Sequence, residues 1–196
     1  SGCTWNTGNS GRDKAASHGG VGGGASGGCA YGSTFFPSTE GSSGYGGRGG
    51  AALRLSVTGE LRLDGTIDMD ASAASTDWSG GSGGSVWITA GVLSGSGGSV
   101  RTHGGGRNRY GDAGGGGGRI ALYCNKTSYG STYAGWAVPT MTAYGGQGSS
   151  DTWDGGAGTV YVDCGSVTNA LLLNNGKTPV GLVTSKLVVT EEGIAM

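Results

Sequence analysis

The residues best spaced for chemistry are three carboxylates, Asp64, Asp68 and Asp70. Asp68 and Asp70 stand two positions apart in the phrase Thr66-Ile67-Asp68-Met69-Asp70, so on a strand both side chains leave the same face. Two acids so placed can share a calcium ion, or divide acid and base roles in cleaving a polysaccharide. Two later phrases align with this one: Ser99-Val100-Arg101-Thr102-His103 and Thr140-Met141-Thr142-Ala143-Tyr144. The alignment stacks Arg101 and Thr142 on Asp68, and His103 and Tyr144 on Asp70. The same stacking also makes plain cross-strand ion pairs, Asp68 with Arg101 and Asp70 with His103. Only one phrase carries the paired acids, which favours the structural use over the catalytic one. His18 and His103 are the only histidines, and their spacing builds neither a metal set nor a Ser-His-Asp set. The stretch Asp154-Gly155-Gly156-Ala157-Gly158 matches calcium-binding nonapeptides only weakly, because no tandem array follows. No enzyme and no cofactor is expected.

Aromatic residues form a second candidate set. Trp78, Tyr110 and Trp153 each occur once per glycine-rich excursion, where an exposed ring could stack on a sugar or on a neighbouring subunit. Each ring could equally fold back over its own loop. Trp87 belongs with them as a glycan or partner contact, in an outward strip Arg54/Trp87/Ala121/Tyr161 that something must cover, either loops or another molecule.

What positions these residues is a repeat. Four phrases follow glycine runs and begin at Ala52, Ser85, Arg119 and Thr159, separated by 33, 34 and 40 residues. Their second, fourth and sixth positions are apolar or small: Leu53/Leu55/Val57, Val86/Ile88/Ala90, Ile120/Leu122/Cys124 and Val160/Val162/Cys164. That alternation predicts a half-buried strand in each copy. The carboxylate-bearing phrases form a second strand set, with Ala170-Leu171-Leu172-Leu173-Asn174 expected as its fourth member. A period of this length with short strands and no helical periodicity points to a solenoid or a propeller, and the tight hairpins of a propeller are missing. The expected fold is all-β: a right-handed parallel β-helix with long glycine-rich insertions and strands ~4.8 Å apart. The inward ladders are then Leu53/Val86/Ile120/Val160, Leu55/Ile88/Leu122/Val162, Ile67/Val100/Met141 and Met69/Thr102/Ala143. Residues 1–50 are expected as an irregular first coil or cap, residues 51–196 as the coils, and residues 180–189 as the start of a fifth.

The cysteines bear on the same register. Cys124 and Cys164 occupy one inward position of consecutive coils, close enough to bridge. By elimination Cys3 pairs with Cys29; the alternative is buried free thiols. Four cysteines without a C-x-x-C pair favour disulfides in an oxidising compartment over zinc. Asn125-Lys126-Thr127 is the only glycosylation sequon, and Asn125 falls where a glycan could project.

Composition narrows the function classes. Glycine accounts for 48 of 196 residues, against a usual share of ~7%. With three prolines and no strict triplet period, collagen is excluded; the β-branched and aromatic phrases exclude plain disorder. A net charge of −1 argues against nucleic acid as a partner, and no apolar run reaches the ~18 residues of a membrane span. Glycine costs ~0.5–1 kcal/mol per residue relative to alanine, so runs such as 19–24 and 114–118 need a compensating use. Close packing of bare backbone segments is favoured over flexible loops. An ice-binding face, which wants a regular Thr or Ala ladder, finds none here.

The runs Gly80-Gly81-Ser82-Gly83-Gly84-Ser85-Val86-Trp87-Ile88 and Gly115-Gly116-Gly117-Gly118-Arg119-Ile120-Ala121-Leu122-Tyr123 resemble glycine-rich repeats of very large secreted or surface proteins of bacteria and protists. The likeness covers residues ~50–175 and implies a parallel β-helix used as stalk, adhesin or filament material. It brings no catalytic residues. The chain has no initiator methionine and stops abruptly, so a segment of something longer is expected. The sequence thus points to a non-catalytic, extracellular structural protein that associates with itself or with neighbouring domains, and with glycans as further partners. The alternatives are a carbohydrate-active β-helix enzyme using Asp64, Asp68 and Asp70, and a glycan-binding module using Trp78, Trp87 and Trp153.

Overall fold

The computed structural model describes residues 15–24, 28–74, 79–107, 113–165, 167–173 and 186–188. Their regular structure is β, and the helix among them is one 3-10 turn, Asp151–Trp153. Three strands of eleven residues, β1 (Ala52–Arg62), β3 (Ser85–Gly95) and β5 (Arg119–Tyr129), lie parallel with the shorter β7 (Thr159–Cys164). A second parallel sheet holds β2 (Thr66–Asp68), β4 (Ser99–Arg101) and β6 (Thr140–Thr142). Pairing follows the phrase alignment: Leu53, Val86, Ile120 and Val160 are directly paired neighbours, as are Leu55, Ile88, Leu122 and Val162. Ile67, Val100 and Met141 form the corresponding row of the second sheet. The alternating β-branched and leucine positions form strands because one face of each is driven out of water.

The inward rows meet in one core, in which Val86, Ile88, Leu93, Val100, Ile120, Leu122, Met141 and Val162 are fully buried. Each such side chain is worth ~1.5–3 kcal/mol against exposure. Tyr129 fastens three successive repeats at a corner. Its hydroxyl donates to the Leu63 carbonyl and accepts from the Gly98 N–H, both at 2.7 Å.

The glycine runs are a packed layer rather than flexible loops. Residues 113–118 run through the middle of five other segments. The Gly114 and Gly117 N–H groups donate to the carbonyls of Trp153 and Gly156, at 2.9 and 3.0 Å. The Gly115 and Gly118 N–H groups donate to Gly105 and Thr102, at 3.0 and 2.7 Å. The Ala113 and Gly116 carbonyls accept from Gly80 and Gly83, and those of Gly114 and Gly117 from Gly23 and Gly20. Each of these four directions recurs after three residues, which is the turn of a polyproline II helix. Residues 153–156 and residues 80–83 run in the same sense as the central segment, while 102–105 and 20–23 run against it. An isolated polyproline II helix has no internal hydrogen bonds, so its backbone groups must find partners in neighbours or water. Here neighbours supply them.

Residues 15–24 and 41–50 join this lattice, and residues 31–39 cross the outward face of the main sheet. There Pro37 is fully buried, and Arg119 donates to the Tyr31 carbonyl (2.9 Å) and to Thr34 Oγ1 (2.8 Å).

The parallel stack does not continue as the repeat predicts. Ala170, Leu171 and Leu172, expected in the second sheet, lie in β8 (Val167–Leu172), which runs antiparallel on β7. Of the expected fifth coil, Lys186–Val188 forms β9, antiparallel on β8, and the rest falls outside the described residues. A reversal at Gly165 (φ +65°) explains the change, since that backbone conformation suits glycine and turns the chain straight back. The main sheet is therefore mixed rather than purely parallel.

Candidate functional site

β2, β4 and β6 bring the sequence-selected polar residues together on one outward face. Arg101 pairs directly with Asp68 in the ladder and donates from Nη2 to its carboxylate, while Arg101 Nε lies 3.6 Å from Asp70 Oδ2. The Asp70 carboxylate also accepts from the His103 backbone N–H at 2.6 Å, and His103 Nδ1 lies 3.4 Å from it. His103 Nε2 reaches Thr142 Oγ1 at 2.7 Å, and the His103 ring stacks on Tyr144 with centroids 4.7 Å apart. Asp64 stands apart, held by Arg62 (2.6 Å) and by the Ser96 N–H (2.7 Å).

The electrostatics follow from this arrangement. Burial tends to raise the Asp68 carboxyl, but the Asp70 N–H and Arg101 outweigh it and leave it below the usual carboxylate range. Burial holds Asp70 above that range against the pull of His103, and burial holds His103 below the usual histidine value despite Asp70. Asp68 and Asp70 thus each bond a residue of the next repeat, which makes the face a clamp across three strands. Among the described residues, no group of three His, Cys, Asp or Glu side chains is placed to hold a metal ion.

His18, away from this face, is fully buried in the glycine layer. Its Nδ1 donates to the Gly83 carbonyl at 2.7 Å, a carbonyl being acceptor only, so Nε2 accepts from the Thr39 hydroxyl at 2.9 Å. Burial, together with the nearby Arg119 cation, holds its pKa below 6.5. For His18 and His103 alike, the unfolded chain takes up a proton near 6.5 while the folded one does not. Their stabilisation is complete above that pH and is lost as pH falls through the folded values. Denaturant midpoints measured from about pH 7.5 down to about pH 5 should therefore decline, and His18→Gln should flatten the decline. An unchanged slope in His18→Gln rules out His18 as a source.

The cysteines and aromatics are placed as follows. Cys124 and Cys164 are paired residues of β5 and β7, and a disulfide joins them with Cα atoms 4.3 Å apart. Cys29 is disulfide-bonded, while Cys3, Trp78 and Tyr110 lie outside the described residues. Asn125 is exposed on β5 beside Cys124. Trp153 is half-buried on the 3-10 turn, its carbonyl accepting from Gly114. Trp87 is sandwiched: the Arg54 guanidinium lies 4.1 Å from its ring centroid and Phe36 packs at 5.4 Å. Phe36 also stacks on Tyr123, and Phe35 meets Tyr161 edge-on at 4.9 Å. Phe36 and Phe35 of the chain's own segment 31–39 therefore pack on Trp87 and Tyr161 of the outward strip, while Arg54 stays exposed. Burial raises the Tyr123 hydroxyl to about 12, with Tyr161 and Asp163 adding to it, and that hydroxyl donates to the Phe35 carbonyl at 2.7 Å.

Sequence reasoning missed Arg119. It is 6% exposed and ties the covering segment to β7 through Thr159 Oγ1 at 3.1 Å. Its place directly after a glycine run gave no sign of the segment, nearly ninety positions earlier in the chain, that it holds. No helix among the described residues is long and apolar enough to cross a membrane. No family model, curated protein or solved structure matches the chain.

Proposed function

We propose that the chain is a non-catalytic structural unit of a secreted filament, stalk or adhesin, built as a right-handed parallel β-helix with long glycine-rich insertions. Each repeat in this reading is one coil: a long strand, a short strand, then a glycine segment out and another back. The observation that carries the proposal is the hydrogen bonding of residues 113–118 to five neighbouring segments, with a period of three toward four of them. A quarter of the chain is glycine, and its described runs are used to bond backbone to backbone, which makes a stiff slab rather than a mobile binding loop. The polar face supports the same reading, since Asp68, Asp70, Arg101 and His103 bond one another across strands. A disulfide between repeats fits an oxidising compartment, and exposed Asn125 can carry a glycan. Partners are then further copies or neighbouring domains of one assembly, with glycans secondary.

Negative-stain electron microscopy of the purified chain, with sizing across concentration, should show end-to-end or side-by-side assemblies. Turnover of any polysaccharide that Asp68→Asn or Asp70→Asn abolishes overturns the reading in favour of an enzyme.

A further inference from the structure

The two ends of the main sheet differ. At one end β8 and β9 turn back antiparallel and take up the free edge of β7. At the other, β1 is an eleven-residue edge strand, and among the described residues nothing pairs with its outer side. Leu53, Leu55 and Val57 are half-exposed there, whereas their counterparts one strand inward, Val86, Ile88 and Ala90, are 0%, 1% and 3% exposed. The strand has no proline and no lysine; its pairing with β3 shifts register between Val57 and Glu60, and Arg54, Glu60 and Arg62 are its exposed charges. A row of unpaired N–H and C=O groups beside an apolar ladder is a template for another strand.

We infer that β1 is a self-docking surface, on which a second copy of this chain pairs β1 against β1, antiparallel, about a two-fold axis at Val57. The strand's own pattern is the reason for choosing a second copy. Reversed about Val57, Leu53 falls across Leu61 and Arg54 falls across Glu60, each twice in the symmetric pair. Leu61 pairs inward with the fully buried Leu93, so Glu60 faces outward as Arg54 does. Arg54 rests on Trp87 and makes no close ion pair among the described residues; Glu60 accepts from Ser94 Oγ and meets the Arg62 cation only at longer range. Neither is held in a close ion pair, so each can meet the other across the two-fold axis. A head-to-tail continuation of the parallel stack is closed off, because β8 already occupies the edge of β7. This interface rests on the structural-unit reading and names the contact through which units meet.

Sedimentation equilibrium of the full chain tests it, with circular dichroism to confirm folding. Wild type should be a dimer or an even-numbered assembly of dimers. Arg54→Glu sets like charges across both pairs and should weaken association by about tenfold or more. The exchange Arg54→Glu with Glu60→Arg should restore it, which a parallel or unrelated contact does not do. Leu53→Lys, at a half-exposed site that leaves the monomer core intact, should also dissociate the pair. A wild type that stays monomeric overturns the proposal, as does a folded double exchange that stays as weak as Arg54→Glu. Filaments that persist with Leu53→Lys overturn this interface and leave the structural-unit reading standing. A charge-reversible dimer that builds nothing larger does the reverse.

Discussion

Replacing Gly115 by alanine costs more than about 4 kcal/mol or prevents folding, whereas Gly65→Ala changes stability by less than about 1 kcal/mol. A Cβ on Gly115 would stand 1.9 Å from the Gly81 carbonyl oxygen and 2.5 Å from its carbon. Neither the central segment nor its neighbour can step aside. A Cβ on Gly114, Gly116, Gly117 or Gly118 would likewise meet the backbone of Gly146, Gly20, Ala143 or Gly84, at 1.9 to 2.1 Å. Moving residues 113–118 away from Gly81 therefore drives them into another segment. Relief requires opening the layer, and with it bonds such as Gly115 to Gly105 and Gly146 to Gly115. Each buried amide left without a partner costs ~1–3 kcal/mol, so two or three account for the expected loss. At Gly65 a Cβ meets nothing within 4 Å, and alanine there reduces the freedom of the unfolded chain. Gly106→Ala is the control inside the glycine layer, its nearest contact being 3.6 Å, and it should be tolerated. Denaturant unfolding followed by tryptophan fluorescence measures all three. If Gly115→Ala unfolds at the midpoint of Gly65→Ala, the layer is not close-packed in solution.

The same contrast explains how much of this molecule is legible in its sequence. Strand register was readable because side chains mark it: Leu53, Val86, Ile120 and Val160 announce one row, and Cys124 and Cys164 sit at matching positions of another. Asp68 over Arg101 and His103 beside Tyr144 followed from the same alignment. Glycine carries no such marks. That 113–118 would be packed could be argued from its cost, but its partners could not be named, since any glycine segment fits any other. The covering of Trp87 by residues 31–39 was hidden for a different reason. The contact is made by Phe35 and Phe36, which lie outside the repeat, and by Arg119, far from them in the chain. β8 does carry a signal of its reversal: Gly165-Ser166 between two apolar phrases reads in sequence as a hairpin dipeptide, and the apolar run Ala170–Leu172 suits either strand direction.

That reversal gives the disulfide its importance, and removing it is the second large effect expected. The double replacement Cys124→Ala with Cys164→Ala should cost ~4 kcal/mol, because the bond closes a loop across a sequence separation of 40 in the unfolded chain. The loop contains a whole repeat: the end of β5, the short β6, and the glycine segments out and back. Without the bond, β7 pairs with β5 over only six residues, against eleven-residue strands elsewhere in the sheet. β8 and β9 depend on β7 in turn, so this end of the sheet should open before the rest. Hydrogen exchange should show it as lost protection in residues 159–172 at denaturant concentrations where β3 and β5 stay protected. Cys164 is fully buried and Cys124 is 8% exposed, so the wild-type bond should resist reductant until this end opens. A double variant within about 1 kcal/mol of wild type, with uniform exchange across the sheet, would show that β7 is held by its packing and not by the bond.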